Sequence, residues 1–232
     1  MSHNIKTAVV LAGGLGTRML PITEYLPKAC VTIHGTKLID LVLTKLKVNK
    51  IESTYVTYGH LGGKLMSELS TNQYISGFIN TTGKPNGHFI TNQLISDLQT
   101  PLLVTPSDLA YRVNLNKVYI DYINAGRPAI MIVGMTRTPE MDCDGLQINP
   151  TTNRVEKIQR KIESTIGASG IQIITPAKVN KIINNQSLDF YDIWQKVIKE
   201  KQLYVSTEFA TDWEAYDTIQ SITEQYSSIY TR

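Results

Sequence analysis

The chain has little of what redox, metal-cluster or charge-driven proteins display. Two cysteines, Cys30 and Cys143, stand far apart in 232 residues. They make no disulfide framework, so a reducing compartment and two buried structural thiols are expected. Of the four histidines, His34, His60 and His88 are scattered without zinc spacing and read as structural or surface residues. No Ser-His-Asp or Cys-His arrangement is readable. The net charge is only +3 and the basic residues are dispersed, which excludes the basic face of a nucleic-acid binder. No apolar run reaches the roughly 18 residues that a membrane span needs. The N-terminal MSHNIKTAVVL has neither a long apolar stretch nor a cleavage signature. A soluble cytoplasmic protein, with neither membrane nor nucleic acid as partner, is expected. Repeats, low-complexity segments and linkers are absent as well.

What remains is a 42% hydrophobic chain with enough apolar surface for a sizeable core. Ala8 to Leu11 reads as a fully buried strand bounded by glycines. KLIDLVLTKLKVNK has helical spacing, STYVTYG reads as a strand, and GGKLMSELST and YISGFIN as a helix and a strand. FITNQLISDL again has helical spacing, and PLLVTPSD is a strand that ends in an acid. AIMIVGM is another buried strand. Such alternation predicts an α/β fold: a Rossmann-like, mostly parallel mixed sheet flanked by helices. From about Asp142 the pattern changes. A hairpin over GLQINPTTNRVEKI, a strand over SGIQIITP, an amphipathic helix over DFYDIWQKVIKEK and a terminal helix follow. One domain over 1–232 is expected, with a core over about 1–140 and a small C-terminal acceptor-binding sub-lobe over about 141–232.

The most informative stretch is VVLAGGLGTRMLPITEYLPK, from Val9 to Lys28. Gly13, Gly14 and Gly16 follow a strand directly, and glycine lets the backbone approach a ligand. Backbone amides in such a loop form an anion-binding concavity, for which phosphate is the natural guest. Arg18 adds a planar fork of donors, and Pro21 and Pro27 stiffen the segment that returns Lys28. A plain strand-to-helix turn is the bland alternative. A dinucleotide fingerprint would need a third glycine where Met19 stands, and a P-loop would end in Gly-Lys-Ser/Thr, not Gly-Thr-Arg.

The stretch from Leu11 to Lys28 resembles the signature of the nucleoside-diphosphate-sugar pyrophosphorylases, the sugar-1-phosphate nucleotidyltransferases. Their pattern, L-A-G-G-x-G-T-R-L-x-P-x-T-x-x-x-P-K, is matched except at Met19. The resemblance implies the nucleotide-diphospho-sugar transferase fold and a reaction of a nucleoside triphosphate with a phosphate monoester, a sugar 1-phosphate first of all. The products are an activated conjugate and pyrophosphate. It implies that Leu11, Ala12, Gly13, Gly14, Gly16 and Thr17 wrap the nucleotide, and that Arg18 and Lys28 hold the triphosphate and the leaving pyrophosphate. Such transfer asks a protein mainly for positioning and charge neutralisation.

The remaining anchors also come from the resemblance. Asp108, at the end of PLLVTPSD, matches a metal-ligating Asp, in the form Ser-Asp instead of Gly-Asp, and Mg²⁺ is the implied cofactor. GKPNGHF resembles the base-reading loop, with Gly87 against the base. Gly145 and Gly170 match close-approach glycines on the acceptor side, and Lys161 matches the lysine that grips the acceptor's phosphate. The family's Glu and Pro around that lysine are Arg160 and Ile162 here. For the second metal ligand, alignment on Trp213 puts Ala215 at the family's Asp, so Asp217 or Asp212 must serve, and Asp217 is preferred. The bland alternatives are an ordinary turn at Gly87, a solvated face at Arg160 and Lys161, and an N-cap acid at Asp217 or Asp212. Arg160 and Asp217-Thr218 point to a runner-up, a CTP-dependent cytidylyltransferase for phosphocholine or another small phosphate. Tyr191, Trp194 and Trp213 are available for an aromatic cage. A non-catalytic nucleotide-sugar sensor is a third reading, decided by whether Asp108 and a second acid share one site. Some members of the family carry a left-handed β-helix acyltransferase domain; 232 residues leave no room for one, so a single activity is expected. A homo-oligomer is an open expectation.

Overall fold

The computed structural model describes residues 4–227. In chain order the elements are β1 (Thr7–Leu11), β2 (Thr32–Ile33), β3 (Thr36–Lys37), α1 (Leu38–Val48), β4 (Ser53–Tyr58), α2 (Gly62–Leu69) and β5 (Gly77–Asn80). There follow β6 (Leu102–Pro106), β7 (Leu109–Arg112), α3 (Leu115–Asn124), β8 (Ile130–Thr136), β9 (Gly145–Ile148), β10 (Val155–Gln159) and β11 (Ile166–Ile174). The chain continues through α4 (Pro176–Ile183), α5 (Phe190–Lys199), β12 (Leu203–Val205), β13 (Thr211–Ala215) and α6 (Ile219–Ser227).

The main sheet runs β10-β9-β11-β6-β1-β4-β5, with β8 against β11 and β12 beside β8. Its β6-β1-β4-β5 part is parallel, as is β8 with β12; β11 runs antiparallel to β6, β8 and β9. This is the mixed, largely parallel sheet with flanking helices that the alternating sequence predicts. Strand pleating explains the apolar runs within β1 and β6, which face cores on both sides. Ala8 and Val10 pack into one core and Val9 into the other, and Leu103 faces opposite to Leu102 and Val104. Each fully buried Val or Leu contributes about 1.5–3 kcal/mol.

One expected element is absent. FITNQLISDL forms only a 3-10 turn at His88–Thr91 followed by turns. Asn92 Oδ1 accepts the Leu94 amide at 3.0 Å, and Asn180 Nδ2 donates to Ile90 and Ser96 carbonyls at 2.9 and 3.0 Å. Those side-chain bonds replace the helical ladder. TEFATDWEA also differs from a helix N-terminus: Thr211–Ala215 is a strand, β13, paired antiparallel with β7.

Candidate active site

A cavity of about 740 Å³ opens beyond the carboxyl ends of the parallel strands, within the range of small-molecule sites. Its walls are the loop after β1, Gly59 and His60 after β4, Thr81–Lys84 after β5, and Ser107–Asp108 after β6. Successive strands add to one side of β1 through β4 and β5, while β6 lies on the other. Such a reversal leaves a crevice at the carboxyl edge where ligands of open α/β sheets bind.

The glycine loop is built for close approach. Ala12 N–H donates to Thr57 Oγ1 at 3.0 Å, which ties the loop to β4. The amides of Gly13, Gly14, Leu15 and Gly16 donate to no acceptor among the described residues. Gly16 is left-handed, with φ of 65°, and its carbonyl accepts from Thr23 Oγ1 at 2.9 Å. Gly13 is packed: a Cβ there would lie 2.4 Å from Thr81 Oγ1. At Gly14 a Cβ would meet no protein atom within 4 Å. Its missing side chain therefore leaves cavity, not packing space. Met19, the one departure in the signature, is fully buried with Val31, Ile33, Leu38 and Tyr216. It keeps the apolar role of the leucine it replaces.

Charges from three stretches converge on this loop. Lys28 pairs with Asp108, the two side chains being 17% and 19% exposed. Arg18 Nη2 pairs with Asp217 Oδ2 at 2.8 Å. The β7–β13 ladder explains why Asp217 reaches the site: Tyr216 N–H donates to the Asp108 carbonyl at 2.9 Å, so the two acids lie side by side just beyond the paired ends of β7 and β13. Thr218 Oγ1 accepts the Ser221 amide at 3.0 Å, so the cap of α6 is Thr218, and Asp217 is spared that role. Burial, with the Glu214 carboxylate, pushes the Tyr216 hydroxyl up to about 12, so it is neutral at working pH. Asp212 lies elsewhere. It pairs with Arg112 at 2.9 Å, is 64% exposed, and does not line the cavity. Ala215 pairs with Leu109 in the ladder.

The acceptor-side residues fare differently. Gly87 does not line the cavity; Asn86 does. A Cβ on Gly87 would lie 2.5 Å from Ile193 Cδ1, and Asn86 Oδ1 accepts the Phe190 amide at 2.7 Å, so this turn docks on α5. Gly145 is likewise a packing glycine, its Cβ position lying 2.5 Å from Ile162 Cγ2. Gly170 has φ of 86° at the irregularity of β11, and its Cβ position lies 3.1 Å from Pro106 Cγ. It therefore backs the strand end that carries Asp108. Lys161 sits on the exposed turn after β10, outside the cavity.

Three cavity groups went unread in the sequence. His60, assigned there to structure or surface, lines the cavity, and its Nε2 lies 3.0 Å from the Thr23 carbonyl. Thr81 and Lys84 come from the loop after β5; Lys84 lies within GKPNGHF, the stretch likened to a base-reading loop, where only Gly87 was singled out. Trp194 and Trp213 form no cage: Trp194 Nε1 donates to Gln172 Oε1 within one core and Trp213 Nε1 to the Ser169 carbonyl beside the other. Both cysteines are free and buried, as expected, and burial pushes the Cys30 thiol up to about 11.

No group of three or more His, Cys, Asp or Glu side chains could hold a metal among the described residues. Two carboxylates on one cavity wall, Asp108 and Asp217, nevertheless suit Mg²⁺, which takes one or two carboxylates and fills its shell from phosphates and water. Also among the described residues, no helix is long and apolar enough to cross a membrane.

The family model described as Nucleotidyl transferase matches residues 7–231, and the chain belongs to that family. It is 27% identical over 136 residues to N-acetylmuramate alpha-1-phosphate uridylyltransferase of Caulobacter vibrioides, covering 56% of this chain and 53% of the relative. It is 39% identical over 54 residues to 2-aminoethylphosphonate cytidylyltransferase of Lancefieldella rimae, covering 23% of this chain and 22% of that one. The chain thus spans about half or less of the length of these curated relatives. The structure of UDP-glucose pyrophosphorylase complexed with UDP-glucose superposes with a TM-score of 0.77 at 17% identity, covering 98% of this chain and 99% of the other. That likeness establishes the shared fold.

Proposed function

We propose that this nucleotidyl transferase family member moves a nucleoside monophosphate from a nucleoside triphosphate to a phosphate monoester, a sugar 1-phosphate. The observation that carries this reading is the convergence of Arg18, Lys28, Asp108 and Asp217 on a glycine loop with free amides, in one cavity. In the reaction an acceptor phosphate oxygen attacks the α-phosphorus in line. One P–O bond forms, the bond to the bridging oxygen breaks, and pyrophosphate leaves with that electron pair. The loop amides cradle the phosphates, and Arg18 and Lys28 exchange their carboxylate partners for the charge that develops on pyrophosphate. Asp108 and Asp217 would hold Mg²⁺, which when bound supplies positive charge beside the α-phosphate. Lys161 is the group for the acceptor's phosphate. Gly14 leaves room for the nucleotide, and Thr81, Lys84 and Asn86 flank it at the β5 side.

A second reading, a cytidylyltransferase for a small amino-alcohol phosphate or phosphonate, is favoured by the 39% identical stretch and by Arg160 in place of the family's Glu. Pyrophosphate release with Mg²⁺ separates the two, with CTP, UTP, dTTP, GTP and ATP each tested against hexose 1-phosphates, N-acetylmuramate 1-phosphate, phosphocholine and 2-aminoethylphosphonate. Release with a sugar 1-phosphate alone supports the first reading, and release with CTP and an amino compound alone supports the second. Silence throughout, with no nucleotide bound, contradicts both.

A further inference from the structure

We propose that Arg137 is a positioning residue that fixes the turn over residues 160–165, and with it Lys161. This rests on the transferase reading, which gives Lys161 its task. Arg137 directly follows β8, and its main-chain N–H donates to the Thr165 carbonyl at 2.8 Å. Its guanidinium Nη1 donates to the Ile162 carbonyl at 2.8 Å and to Ser164 at 3.2 Å, and its Nη2 to Arg160 at 3.1 Å. Three carbonyls of one turn thus end on one planar group. The guanidinium fork is rigid, so the three acceptors are held in fixed relation. An exposed turn ordinarily leaves such carbonyls to water.

The surroundings are cut to admit this side chain. Gly145 and Gly167 face each other across β9 and β11. A Cβ on Gly145 would lie 3.4 Å from Arg137 Nη1, and one on Gly167 would lie 3.3 Å from Arg137 Cβ and 3.0 Å from Cys143 Sγ. A larger residue at Gly145 would press first on Ile162, at 2.5 Å, within the turn itself, and one at Gly167 would crowd Cys143, Met135 and the base of the Arg137 side chain. The Arg137 Nε is buried without a hydrogen-bond partner among the described residues.

The turn also reaches the nucleotide loop. Arg160 Nη1 donates to the Asp142 carbonyl at 2.9 Å, and Asp142 Oδ2 lies 3.4 Å from Arg18 Nη1. Asp142 and Arg160 are 69% and 54% exposed, and such surface pairs hold little by themselves. The two part-buried bonds from Arg137, to Ile162 and Ser164, therefore set the turn, and the exposed bond to Arg160 and the surface pairs follow it.

The test uses the full chain with Arg137→Met and Arg137→Lys, and Arg137→Ala with added methylguanidinium. Three quantities are measured: hydrogen exchange over residues 160–166, calorimetric affinity for Mg²⁺-pyrophosphate, and KM for glucose 1-phosphate with UTP and for phosphocholine with CTP. In Arg137→Met, exchange accelerates at least about tenfold in that segment alone and pyrophosphate affinity holds within about twofold. The acceptor KM rises about tenfold to a hundredfold at unchanged nucleotide KM, the scale of a misplaced binding group. Arg137→Lys recovers part of the loss, and methylguanidinium restores the Ala variant. Unchanged exchange in the segment overturns the proposal, as does a joint rise of both KM values with a general fall in Tm. If the wild type turns over neither pair, the transferase reading with these acceptors fails. Exchange and pyrophosphate binding then decide on Arg137: acceleration confined to the segment at unchanged pyrophosphate affinity supports it.

Discussion

At the carboxyl end of β1, bare backbone opens onto a cavity and charged side chains from three stretches of chain meet over it. At the β9–β10 hairpin, the glycine singled out for ligand contact has its Cβ position filled by Ile162, and the lysine expected to grip a phosphate lies on an exposed turn. Gly14 opens onto empty cavity; Gly145 is small for its neighbours. Identical residue types thus carry opposite meanings. Only the empty volume beyond the Cα distinguishes them.

The largest effects that would break this contrast lie at the charged pair. Asp108→Asn and Lys28→Met should each lower pyrophosphate release by about 10²-fold or more, the scale of losing one preorganised electrostatic group. The same substitutions at Arg112 and Asp212, an exposed pair off the cavity, should leave activity within about twofold. Next in size, Asp217→Asn should weaken Mg²⁺-dependent nucleotide binding about tenfold or more while Asp212→Asn leaves it unchanged, as titration calorimetry would read. Equal losses would remove the distinction drawn between the two acids.

The two glycines sharpen the comparison further. Gly14→Val should bind nucleotide at least about tenfold more weakly with Tm preserved, since no protein atom lies near its Cβ position. Gly145→Ala should do the reverse, leaving nucleotide affinity intact and lowering stability by about 1–3 kcal/mol through overpacking. The smallest effect concerns pH. Burial and nearby Lys84 hold His88 below the usual 6.5. The folded chain therefore binds fewer protons there than the unfolded one, so this contribution to stability is present above 6.5 and is lost as pH falls through and below it. A slight drop in Tm between about pH 7 and pH 5.5 should disappear in His88→Gln.

The sequence was most legible where one local geometry carries the chemistry. The strand, the glycine turn and the return of Lys28 are contiguous, so residues 9–28 could be read together, and α1, α2, α5 and the β9–β10 hairpin show their own periodicity. Legibility ended where placement depends on distant packing. Asp217 reaches the cavity only because β13 pairs with β7, whose register no local pattern announces. The 89–98 stretch has helical spacing, yet Asn180, far along the chain, captures its carbonyls. Arg137 lies outside every motif, because its partners are backbone atoms whose identity sequence does not encode.

In the proposed reaction Asp108 and the glycine loop hold a metal–triphosphate jointly. The most direct test of this joint binding is calorimetric titration of the wild type and Asp108→Asn with the turned-over nucleoside triphosphate, each with and without MgCl₂. Wild-type binding should strengthen at least about tenfold with Mg²⁺, and that gain should be lost in Asp108→Asn, with metal-free binding retained through the loop amides and Arg18. Equal Mg²⁺ enhancement in both proteins would contradict joint binding.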